Sequence, residues 1–176
     1  MEEIEVPTEH LHETIEEKVE EAVEKNERGG WSMYVAISTA LIAVLAAIAA
    51  LLAGSHADEA VIAQIKASDQ WALYQAKGIK AEIKELAMIS GKANQSDVDK
   101  YKNEQADIKK EAGEYEDESS FHSVRHSKLA RAVTLFQIAI AIAAISILTK
   151  KKFLWYASMG LAAIGVWYFI LGNLVG

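Results

Sequence analysis

The sequence predicts an all-α membrane protein: three transmembrane helices, with an antiparallel coiled-coil hairpin between the first and second spans. Three observations carry this. Residues 31–53, 132–148 and 153–175 form apolar runs without one Asp, Glu, Lys or Arg. The charges are segregated outside them, with 11 acidic and 3 basic residues in 1–30, 14 and 12 in 54–131, and the remaining three in Lys150–Lys152. That segregation marks a membrane protein. The single proline, Pro7, leaves everything after it free to be helical.

The first run covers about 34 Å at about 1.5 Å per residue, enough for a hydrocarbon core of about 30 Å. A cleavable signal peptide opens on a short basic region, whereas an acidic segment precedes this run. Aromatic residues agree with three crossings. Trp31 and Tyr34 open the first span, and Trp155 and Tyr156 open the third, on one membrane face. Trp167 and Tyr168 approach the other face. Such side chains combine an apolar body with a polar tip that prefers the interface. Lys18, Lys25, Arg28 and the Lys150–Lys152 triplet lie on the face of the N-terminus and the short basic loop 149–152. Lys66, Arg125, Lys128 and Arg131 lie on the other face. The excess of six to four on the first face favours a cytoplasmic N-terminus, while the opposite topology stays open because an acidic N-terminal tail is also easy to translocate.

Residues 54–131 read as a stalk of two arms with a turn near 90–97. Helix formers fill 57–89 and 97–131, and Gly91 suits the position just past a helix end. Ser96, with Asp99 three residues on, suits a helix start. Each arm would extend roughly 50 Å. A 3-4 spacing selects Ile62, Ile65, Asp69, Ala72, Ala76, Ile79, Ile83 and Leu86 on the outbound arm. On the return arm it selects Val98, Tyr101, Gln105, Ile108, Ala112, Tyr115, Ser119, His122, His126 and Leu129. These seams are expected to pack on each other, with Ile79 and Ile83 near Ile108. The outbound arm has a second apolar face, Ala60, Ala63, Ala67, Trp71, Tyr74, Gly78, Ala81 and Met88, while the back of the return arm is polar. A surplus face implies a homo-oligomer, with Trp71 and Tyr74 in its interface. In the first span, Ala36, Ala40, Ala43, Ala47, Ala50 and Gly54 continue that logic at 4-3 spacing. Small residues let helix backbones approach closely in lipid. The same alanines could equally pack on the second span of their own chain.

The stretch TALIAVLAAIAALLAGSHADEAVIAQIKASDQWALYQAKGIK at 39–80 resembles a bacterial membrane-protein family, the domain of unknown function numbered 4337. The opening EEIEVPTEHLHE and the later RAVTLFQIAIAIAAISILTKKK, followed by WY, are similar to the same family. The resemblance covers nearly the whole chain. It implies a multi-span bacterial membrane protein and supplies no catalytic residue; the expected location is the bacterial inner membrane.

Little here promises chemistry. A net charge of −7 excludes a nucleic-acid partner, since phosphate binding needs a basic face. No nucleophile–base pair is recognisable, so no enzyme and no cofactor are expected. No metal site is assigned either. A metal would have to use His56, Glu59, His122 and His126, of which the last two share a helix face at i, i+4. Hydrated residues at the headgroup level would show the same spacing. Gln137 is the most polar residue inside a span, suited to hydrogen bonding between helices. No carboxylate, histidine or arginine lies inside a span to serve a proton relay. Residues 1–30 combine an acidic amphipathic helix at 8–28 with a Gly29-Gly30 hinge, and the helix suits a protein partner better than anionic lipid. The reading is a self-associating structural or docking element of the bilayer with a coiled-coil stalk. The alternative is a small oligomeric channel or transport-accessory subunit.

Overall fold

The computed structural model describes residues 30–174. They form three helices, α1 (Trp31–Ile89), α2 (Gln95–Thr149) and α3 (Lys152–Leu174), with no strand among the described residues. The amphipathic helix expected at 8–28, with His10 and His12, lies outside the described residues, as do Gly29 and Val175. All three helices are long and apolar enough to cross a membrane. Each of the first two joins an apolar run to a charged arm without a break, giving 59 residues in α1 and 55 in α2. Nothing near residues 54 or 131 stops a helix, because Gly54 lowers helix propensity without blocking a hydrogen bond.

The turn between α1 and α2 follows from Gly91. Its φ of 71° is left-handed, where a Cβ would clash. Gly91 N–H bonds Met88 C=O at 3.0 Å and Lys92 N–H bonds Ala87 C=O at 3.0 Å, the Schellman pattern that satisfies the last carbonyls of α1. The start of α2 corrects the expectation for Ser96. Asn94 takes the capping position, Asp97 N–H bonds its carbonyl at 3.0 Å, and Ser96 falls inside the first turn. Lys150, with φ 54°, makes the corresponding turn into α3.

The chain divides into two compact units, one of residues 30–54 with 125–174 and one of residues 55–124. The first has an apolar core of Ile42, Ala43, Ala46 and Ala49 from α1, Ala132, Phe136, Ala139 and Ile140 from α2, and Ala162 from α3. α3 runs antiparallel to α2 and lies close against it. A Cβ on Gly165 would meet Phe136 at 2.8 Å, and one on Gly172 would meet Leu129 at 2.8 Å. Hydrogen bonds stitch this core together. Ser158 Oγ donates to the Ala139 carbonyl at 2.7 Å, and Trp155 Nε1 donates to Ser38 Oγ at 3.1 Å. In an apolar setting such bonds satisfy groups that would be costly to leave unpaired.

In the second unit, α1 and α2 also run antiparallel. On α2 the inward face is the expected one, with Val98, Ile108, Ala112 and Ser119 buried and Tyr101, Gln105, Tyr115 and His122 half-buried. On α1 the expectation is reversed. Ala60, Ala63, Ala67 and Ala81 are buried, while Ile62, Ile65, Ile79 and Ile83 are 53–58% exposed. Ile79 and Ile83 therefore do not pack on Ile108. The reason is how closely the backbones can approach. Against alanine and glycine, Ser119 Oγ reaches the Ala60 carbonyl at 2.9 Å and Gln105 Nε2 reaches the Tyr74 carbonyl at 3.2 Å. Branched side chains would hold the helices too far apart for either bond. Lys66 and Lys77 lie over the rings of Tyr115 and Tyr101 at 5.3 and 5.5 Å. The ion pairs Lys77–Glu104, Lys102–Glu85 and Lys84–Asp97 flank the seam.

Candidate functional site

The one group of metal-ligating side chains among the described residues lies in the second unit. His56 and Glu59 are three apart on α1, so helical geometry puts them on one face. His122 comes from the inward face of α2. Three atoms converge: His122 Nδ1 is 2.8 Å from Glu59 Oε2, His56 Nδ1 is 3.2 Å from the same oxygen, and the two Nδ1 atoms are 3.0 Å apart. Phe121 meets the His122 ring edge-on at 5.2 Å, and the two imidazoles are tilted by 33°. The histidine side chains are only 15% and 17% exposed, whereas the Glu59 side chain is 49% exposed. The group thus has two shielded nitrogens and a carboxylate open to solvent. His126 takes another partner. Its Nδ1–H donates to the Ala53 carbonyl at 2.9 Å, within the first unit.

Trp71 and Tyr74 sit on the face of α1 that meets α2, which corrects their placement on a surplus face. Trp71 Nε1 donates to Glu116 Oε1 at 2.8 Å, and the two rings pack edge-on at 5.4 Å. Of the small residues in the first span, Ala36 and Ala43 are buried and Ala50 is half-buried. Ala40, Ala47 and Gly54 are exposed. The buried stripe is offset by about one position, running through Val35, Thr39, Ile42, Ala46, Ala49 and Ala53. Gln137 is half-buried and makes no side-chain hydrogen bond among the described residues. Bonding between apolar helices falls instead to Ser158 and Trp155. Ser158 could have been read from its place in a small-residue stripe with Ala162 and Gly165, all buried on α3.

Two charged groups of the second unit are shifted by their partners. The hydrogen bond from Lys77 holds the Glu104 carboxyl below the usual carboxylate range. The hydrogen bond to Glu85 raises the Lys102 ammonium above the usual lysine range. Both pairs are solvated and serve the pairing of α1 with α2.

No curated protein and no solved structure matches this chain. The family described as Domain of unknown function (DUF4337) matches it over residues 31–175, a stretch that includes all three helices and the His56–Glu59–His122 group. The chain belongs to the DUF4337 family.

Proposed function

We propose that the protein is a three-span bacterial inner-membrane protein that self-associates and serves as a structural or docking element, without enzymatic activity. The observation that carries this is the exposed apolar face of α1 in the second unit. Ile62 and Ile65, and further along Ile79, Ile83 and Leu86, are all more than half exposed on the 3-4 seam, with Asp69, Ala72 and Ala76 between the two groups. Two apolar patches in line on a charged helix favour a protein cover. A second copy supplies one without any further component, as symmetric self-association commonly does. The coiled-coil stalk is then built between copies through the isoleucine face. Replacing Ile79 and Ile83 with Asp should lower the particle mass in mild detergent while helicity is retained. An unchanged mass would rule out this interface.

The N-terminus and Lys150–Lys152 face the cytoplasm in this reading, supported by the distribution of basic residues. The acidic segment before α1 is left for a protein partner. Single cysteines at Asn94 and Lys151, probed with an impermeant thiol reagent in spheroplasts, test the orientation. Labelling at 94 alone is expected, and labelling at 151 alone would invert it. A second reading, a small oligomeric channel, is favoured by Ala40, Ala47 and Gly54, which lie exposed along α1 where another copy's backbone could approach. Ion flux through reconstituted protein separates the two.

A further inference from the structure

We propose that His56, Glu59 and His122 bind a divalent transition-metal ion of the zinc class, tying α1 to α2 within the second unit. The ligand atoms of the three residues all lie within 4.8 Å of one another. The edges of the triangle, 2.8, 3.0 and 3.2 Å, are already close to those of a coordination shell. Bonds of about 2.0–2.2 Å separate neighbouring donors by about 3.3 Å in a tetrahedron and about 2.9 Å in an octahedron. Shifts of a few tenths of an ångström would therefore seat the ion.

The donor types narrow its identity. Two imidazole nitrogens and one carboxylate oxygen suit zinc and its neighbours in the first transition row. Calcium and magnesium prefer oxygen throughout. The competing account is an ordinary ion pair, with both Nδ1–H groups donating to Glu59. If instead one ring donates its Nδ1–H across the 3.0 Å gap to the other Nδ1, both nitrogens are satisfied but Glu59 keeps an uncompensated negative charge. A cation accepts a lone pair from each and neutralises the carboxylate. The exposed side of Glu59 gives a route from solvent, and three protein ligands leave at least one position for water. Because the ligands come from both helices, binding favours the paired arms over separated ones.

The test is zinc titration of the full-length chain in detergent, stripped with chelator, with His10→Ala and His12→Ala in the background. One zinc per chain is expected, with a rise in the unfolding midpoint. His56→Ala and His122→Ala should each weaken binding by about tenfold or more. Circular dichroism checks that each variant keeps its helices. His122→Cys retains a ligand, so it should restore binding and add a thiolate-to-metal absorption band with cobalt. Zinc binding that survives both alanine variants would overturn the proposal. So would a parent chain that binds no better than the His56→Ala/His122→Ala double variant.

Discussion

Both units expose large apolar side chains, but in different company. In the first unit Leu41, Val44, Ile48, Ile138, Ile145 and Ile164 are exposed along stretches that hold no charged residue. In the second, Ile62, Ile65, Ile79 and Ile83 are exposed to a similar degree, yet Lys66, Asp69, Lys80 and Glu82 stand beside them. Exposure alone therefore does not say what covers a surface. An apolar face bordered by nothing polar suits hydrocarbon, where a charge has no solvation. A narrow apolar stripe bordered by charges suits another protein, because the charges remain in water at the rim. The inner surfaces differ in the same sense. The first unit packs Phe136 and Ile140 among alanines, while the second relies on alanines, tyrosines and ion pairs.

The largest effect that separates the two surfaces is on insertion. Leu41→Asp places a charge near the middle of the first apolar run, at a cost of about 2.5–3.5 kcal/mol. The protein fraction that resists carbonate extraction from membranes should fall. Ile65→Asp, at a residue also more than half exposed but in the second unit, should leave that fraction unchanged. Equal losses from both would erase the distinction between the surfaces.

A smaller effect concerns pH, and it is read in the second unit. Glu104 has its carboxyl depressed by Lys77, so the pair stabilises above the ordinary carboxylate range. That contribution is lost as pH falls through the depressed value. Lys102 behaves oppositely. Its raised ammonium stabilises fully below the ordinary lysine range and is lost as pH rises through the raised value. Lys102 is exposed and Glu104 is only half-buried, so each contribution is slight. Trp71 is the tryptophan of the second unit, and its emission can be followed with the other three replaced by Phe. Melts read this way should lose stability toward acid, and Lys77→Met should flatten that limb. An acid limb unaltered by Lys77→Met would assign it to other carboxylates.

The two arms show what a sequence can and cannot disclose. The return arm has one apolar face, through Val98, Ile108 and Ala112, and a charged back, so burial has a single solution and the reading holds. The outbound arm offers two. Side-chain size favours the isoleucines, but the packing chooses the alanines because Ser119 and Gln105 can then reach main-chain carbonyls. That advantage resides in the partner helix and is invisible along either arm alone. The histidines illustrate the same limit. Spacing put His122 and His126 on one face, but which of them meets His56 and Glu59 depends on register. His126 spends its Nδ1–H on Ala53 instead. Features that depend on one segment were legible, such as the Gly91 turn and the three apolar runs. Features that depend on distance between segments were not.

The central claim is that copies of this chain meet through the isoleucine face of α1, with the alanine face kept for α2 of the same chain. Single cysteines in this cysteine-free sequence test it directly in native membranes. With a short bismaleimide crosslinker, Ile62→Cys, Ile79→Cys and Ile83→Cys should give covalent dimers, and Ala63→Cys and Ala67→Cys should stay monomeric. Dimers formed only through positions 63 and 67, or through none of the five, would contradict it.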